Sequence, residues 1–110
     1  MNASPTENIV FLIGELKGIS RNAETKTGAK MVRRVISVAR HWTDQSGKFH
    51  EDFDDFEVVG WGLVAQQLEE LANGALVRVR GRIKVERWYD GEETKMAIRV
   101  AAENVVLLCY

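Results

Sequence analysis

Arg78, Arg80, Arg82 and Lys84 fall on every second residue of the stretch LVRVRGRIKVERW, residues 76–88, and the row ends at Trp88. Cations in line with an aromatic ring suit one kind of chemistry: the charges follow a run of phosphates while the flat ring stacks on an exposed base. Two more tryptophans stand beside charged or glycine residues, Trp42 next to Arg40 and Trp61 between Gly60 and Gly62. One stacked base is worth roughly 1–3 kcal/mol. Three such rings with several phosphate contacts could give tight, salt-sensitive, sequence-tolerant binding. The same residues admit plainer roles. A cationic row also protects an edge strand from pairing with other chains, Trp42 and Trp88 could cap the end of a barrel, and Trp61 could be core.

Other chemistries find less support. Arg33 and Arg34 are adjacent, so on a strand they point to opposite faces and at least one meets solvent or a partner. Arg34 and Arg40 are carried forward as candidate phosphate contacts. The acidic run Glu51, Asp52, Asp54, Asp55 and Glu57 could in principle hold magnesium. It lacks a neighbouring acid–base group, however, and reads as a solvated loop that pairs with arginines. Phe49 and Phe53 in that loop could also stack on bases, but packing against the barrel is the role expected of them. No Gly-Lys-Ser/Thr follows the glycines of GELKG, so a phosphate-binding loop is absent. Cys109 is the single cysteine, and His41 and His50 have no partners at metal-ligand spacing. No catalytic residue, cofactor or metal is expected.

These side chains need strands to aim them. Between the cations, Val77, Val79, Ile83 and Val85 fill the alternate positions, the pattern of a half-buried strand with its odd face in the core. Residues 8–18, 31–42, 56–62 and 94–108 also read as strands. Residues 21–30 read as a polar loop or a hairpin turn around Gly28, and residues 43–55 as a polar, acidic loop with a turn at Gly47. In residues 63–74 the period changes, because Val64, Leu68 and Leu71 recur at helical spacing before Asn73 and Gly74 stop the run. Three strands, one short helix and two strands make an all-β chain with the order of an OB-fold, a five-stranded Greek-key barrel. The expected organisation is a flexible N-terminus over 1–7 and one domain over 8–110. With 15 Lys+Arg against 16 Asp+Glu, the net charge of −1 does not announce a polyanion partner, so only the placement of charge can. No apolar run reaches membrane-spanning length and no signal peptide is evident, so a cytoplasmic, reducing setting is expected.

The chain resembles the bacterial single-stranded DNA-binding proteins. NIVFLIGEL is similar to the family's opening strand. VVGWGLVAQQLEELANGALVRVRGRIKVERWYD is similar to its hallmark block, and VAAENVVLL closes the match, which spans residues 8–108. The resemblance implies non-catalytic, largely sequence-independent binding of single-stranded DNA in replication, recombination and repair. It places stacking aromatics at Trp42, Trp61 and Trp88. A fourth falls at Asp55, with Phe56 beside it as the substitute. It also implies a homotetramer, a homodimer being the alternative. The family's flexible linker and acidic tip have no counterpart before Tyr110; the chain is either a DNA-binding core cut from a longer protein or a naturally tail-less relative, and recruitment of partners through a tail is not expected from these residues. A tail-less OB-fold adaptor of a replication-restart complex, similar to primosomal replication protein N, is the alternative reading.

Overall fold

The computed structural model describes residues 4–110, apart from the side chains of residues 19 and 20. Its elements follow the order β1 Val10–Glu24, β2 Lys30–Thr43, β3 Phe49–Trp61, α1 Leu63–Glu70, β4 Leu76–Tyr89 and β5 Thr94–Cys109. The strands close into a barrel in the spatial order β1-β2-β3-β5-β4, the arrangement expected of an OB-fold. Leu16, Val32, Ile36, Val58, Leu68, Val77 and Val79 are fully buried inside it. The helix closes one end, with Ala65 and Leu68 buried. Gly60 is its seat, since a Cβ there would lie 2.8 Å from Val64 Cγ1 and 3.0 Å from Leu68 Cδ1.

Two segments expected as loops keep their turns at Gly28 and Gly47 but are otherwise largely strand. Residues 21–24 pair with 30–33, which lengthens β1. Residues 49–55 belong to β3, which pairs with β2 in unbroken register from Met31↔Trp61 to Thr43↔Phe49. Acidic composition suggested a solvated loop there. On a strand, though, alternate carboxylates face cations across the ladder. Arg40 approaches Asp52 at 3.7 Å and Asp54 at 3.2 Å, and His41 approaches Glu51 at 2.6 Å.

β3 and β5 pair in parallel through Val58↔Val100 and Val59↔Ala101. The hairpin tips lie before the N-terminal ends of these two strands, so the β2–β3 and β4–β5 hairpins project from the same end of the barrel. The helix takes the other end. This projection raises the radius of gyration to 16.7 Å, against about 13 Å for a compact chain of this length.

The projection also corrects the reading of β4. Its odd face is core only as far as Gly81. Val77 and Val79 are fully buried, whereas Ile83 is 45% and Val85 41% exposed, because the hairpin has left the barrel. Gly81 marks the departure. The β4–β5 register shifts there as Glu103 drops out of the pairing, and a Cβ on Gly81 would sit 2.1 Å from the Ala101 carbonyl oxygen. The close approach admits only glycine.

Candidate nucleic-acid interface

On β3 the even residues Val58 and Gly60 face the core and the helix, so Glu57 and Trp61 face outward. Cross-strand neighbours share a face. The register Arg33↔Val59↔Ala101↔Arg82 and Lys84↔Arg99 therefore carries that outer surface across β2, β3, β5 and β4. Contacts agree with the register. Lys84 Nζ lies 4.4 Å from the centroid of the Trp61 ring, a cation–π arrangement. Glu57 Oε1 lies 3.9 Å from Arg33 Nε and accepts from Arg99 Nε at 2.9 Å. Arg99 also donates to Glu86, and Lys84 Nζ stands 3.5 Å from Glu86. The Glu57 hydrogen bond, with the two carboxylate charges, holds the Arg99 pKa above its ordinary value despite partial burial. Trp88 is further out on the same face of β4, 47% exposed, and lines an open pocket with Arg33, Glu86, Arg87 and Arg99. Trp61, Trp88, Arg82 and Lys84 thus share one outer face. It offers two rings of graded exposure with cations beside them.

The remaining sequence candidates lie elsewhere. Arg78 and Arg80 are also on the outside of β4, but their β1 neighbours are Ile13 and Phe11 and their β5 neighbours Val106 and Asn104. The Arg78 guanidinium lies 5.1 Å from the Phe11 ring centroid. Ten residues of strand, roughly 33 Å at 3.3 Å each, separate Arg78 from Trp88. Trp42, Arg40 and Phe56 occupy even positions in the β2–β3 hairpin, on the face opposite Trp61. Trp42 stacks on His50 with centroids 4.4 Å apart and donates from Nε1 to Asp52 Oδ2 at 2.8 Å. Phe56 lines an apolar ledge at the barrel mouth with Val10, Ile83 and Ile98. It does not replace an aromatic at position 55.

Arg34 is not a phosphate contact. It is 3% exposed, and burial lowers its pKa. Its Nη1 donates to the carbonyl oxygens of Leu68 at 2.6 Å and Leu71 at 2.7 Å, and its Nη2 to Asn73 Oδ1 at 2.8 Å. These are carbonyls that a helix C-terminus leaves without partners. A cation there also complements the helix dipole. α1 stops at Glu70, a little before the expected stop at Asn73 and Gly74, because Leu71 turns extended under this clamp.

Sequence reasoning did not place three members of the outer surface among the site residues. Arg33, not Arg34, is the arginine on it. Arg99 was read only as part of a strand. Phe53 was expected to pack inward, yet it is 57% exposed on the same odd face of β3 as Trp61, with Lys17 Nζ 6.0 Å from its ring centroid. Period-two counting back from Trp61 through residues 59, 57 and 55 reaches Phe53, a signal hidden while residues 43–55 read as loop. Among the described residues, no group of three His, Cys, Asp or Glu side chains is placed to hold a metal ion, and no helix is long and apolar enough to cross a membrane.

Comparison with known proteins adds an independent finding. The model of the Single-strand binding protein family matches residues 7–108. The single-stranded DNA-binding protein of Aquifex aeolicus (strain VF5) is 31% identical over 102 residues, which cover 92% of this chain and 69% of that protein. Single-stranded DNA-binding protein 1 of Chlorobaculum tepidum is 27% identical over 104 residues, covering 92% of this chain and 64% of that one. Among solved structures, a deletion mutant of the single-stranded DNA binding protein from Thermus aquaticus superposes with a TM-score of 0.81 at 29% identity, over 93% of this chain and 50% of that chain. A Plasmodium falciparum SSB in complex with ssDNA gives a TM-score of 0.83 at 17% identity, a likeness of fold.

Proposed function

This chain belongs to the single-strand binding protein family, and on that premise we propose that it binds single-stranded DNA without catalysis and largely without regard to sequence. Bases stack on Trp61 and Trp88. Phosphates follow Arg82, Lys84 and Arg33, with Phe53 extending the ring series toward the β2–β3 tip. The observation that carries this reading is that two partly exposed tryptophans and these cations share one outer face, linked through Lys84, Glu86 and Arg99. Rings alone would bind weakly, and cations alone would bind duplex equally well. The combination favours strands whose bases are free. Its role is to coat exposed strands in replication, recombination and repair, in the cytoplasm with the nucleoid.

A second face supports self-association. Ile9, just before β1, and Phe11, Ile13, Val106 and Leu108, on the outside of β1 and β5, are each 42–58% exposed around Arg78 and Arg80. An apolar patch of this kind on a small domain marks a protein contact. We assign it to the homotetramer interface, with a homodimer as the smaller alternative. None of the relatives named above is a replication-restart adaptor, and that reading is carried no further.

Intrinsic tryptophan fluorescence, titrated with oligo-dT and with duplex at low and high salt, tests the proposal. Strong quenching by the single strand, little by duplex, and affinity that falls with salt are expected. Absence of quenching at micromolar protein and excess oligonucleotide overturns it.

A further inference from the structure

Arg99 joins the two projecting hairpins across their outer surface. It stands on β5. Its Nε donates to Glu57 Oε1 of β3 at 2.9 Å, and its Nη1 donates to Glu86 of β4. The backbone ladder between β3 and β5 ends at Val58↔Val100, so Arg99 sits just past its last rung on the side of the hairpin tips. Its side chain is 12% exposed, and one planar guanidinium engages both carboxylates. The charge chain continues outward on both sides, to Arg33 at 3.9 Å from Glu57 and Lys84 at 3.5 Å from Glu86. These end cations are 34% and 31% exposed. A phosphate entering the surface meets the ends of the chain. Arg99 at the centre is already paired with two carboxylates and mostly covered.

We propose that Arg99 is a positioning residue: together with Glu57 and Glu86 it fixes the β4–β5 hairpin against β3, so that Trp61 and Trp88 present their rings to the same strand, and it makes no phosphate contact of its own. The inference rests on the reading of Trp61 and Trp88 as stacking platforms. It opposes what charge alone dictates. Glu86→Gln removes a negative charge from a surface that binds a polyanion, so electrostatics alone tightens binding, whereas loss of the latch weakens it. Arg99→Lys keeps the charge, but a compact ammonium does not reproduce the planar fork. A phosphate contact survives that exchange in large part, and a latch does not.

The test is a fluorescence titration with oligo-dT across a salt series, using the wild type, Arg99→Lys, Glu86→Gln, Trp61→Ala and Trp88→Ala, each first melted to confirm folding. Glu86 is partly exposed, so its variant serves if Arg99→Lys does not fold. Arg99→Lys and Glu86→Gln each weaken binding by about tenfold, the scale of one lost stacking contact, with the salt slope of the wild type retained. Adding Trp88→Ala to either variant then costs less than it does in the wild type. Tighter binding by Glu86→Gln, wild-type affinity in Arg99→Lys, or a slope reduced by about 0.7 overturns the proposal. If Trp61→Ala and Trp88→Ala in the wild-type background leave affinity unchanged, the platforms themselves are refuted, and the Arg99 role with them. That failure is read without any Arg99 variant.

Discussion

Arg33 and Arg34 are neighbours in sequence and opposites in environment. One meets the outer surface, and the other disappears beneath the helix terminus. Arg34→Ala leaves two carbonyl oxygens and the Asn73 side chain without their charged donor. A loss of about 2–4 kcal/mol of stability is expected, read as a lower midpoint in chemical denaturation. Oligo-dT affinity of the folded fraction stays unchanged. The tryptophans divide in the same way. Trp61→Ala or Trp88→Ala each lose about 1–3 kcal/mol of single-strand affinity. Trp42→Ala loses less than either, because its ring already stacks on His50 and faces the other side of the hairpin. Comparing three titration midpoints decides the point. An equal loss at Trp42 would mean that the strand wraps both faces.

The β2–β3 hairpin shows what an element adds to its residues. Its tip is held by Asp44. Asp44 Oδ1 accepts from the Ser46 and Lys48 backbone amides, both at 2.9 Å, and from Ser46 Oγ at 2.6 Å. Oδ2 pairs with His50 Nε2 at 2.8 Å. These partners, Ser46 first and His50 second, lower the Asp44 pKa from 3.8 to about 2. A depressed carboxylate pKa stabilises the folded hairpin above the unfolded value and loses that contribution as pH falls through the folded one. Asp44→Asn therefore lowers the melting temperature at pH 7, and its difference from the wild type shrinks between about pH 4 and pH 2. Thermal scans of both proteins across that range check it. A difference that persists at pH 2 would mean that the carboxylate charge is irrelevant to the turn.

At the scale of the whole molecule, the barrel separates two surfaces that one strand had seemed to unite. β4 carries Arg78 and Arg80 to the apolar side with Phe11 and Ile13, and Arg82 and Lys84 to the side with Trp61. The first is assigned to subunit contact and the second to nucleic acid. Phe11→Glu places a charge in the centre of the apolar patch. Light scattering after gel filtration should show a shift to a smaller species, with quenching by oligo-dT retained at a reduced site size. An unchanged mass would move the interface to another face.

Much of this protein was legible in the linear pattern. Alternation identified β4, the change of period identified α1, and the order of elements identified the OB-fold, because these are local consequences of side chains meeting water or core. Val32, Arg34 and Ile36 even share a parity that points Arg34 inward, a signal outweighed by its charge. Composition misled where the acidic strand looked like a loop, because the cross-strand pairing of Asp52, Asp54 and Glu51 depends on partners in another strand. Only the tertiary structure decided which cations and rings meet. Twist, the register shift at Gly81 and the parallel β3–β5 contact bring residues far apart in the chain to one surface, and no period in the sequence records that distance.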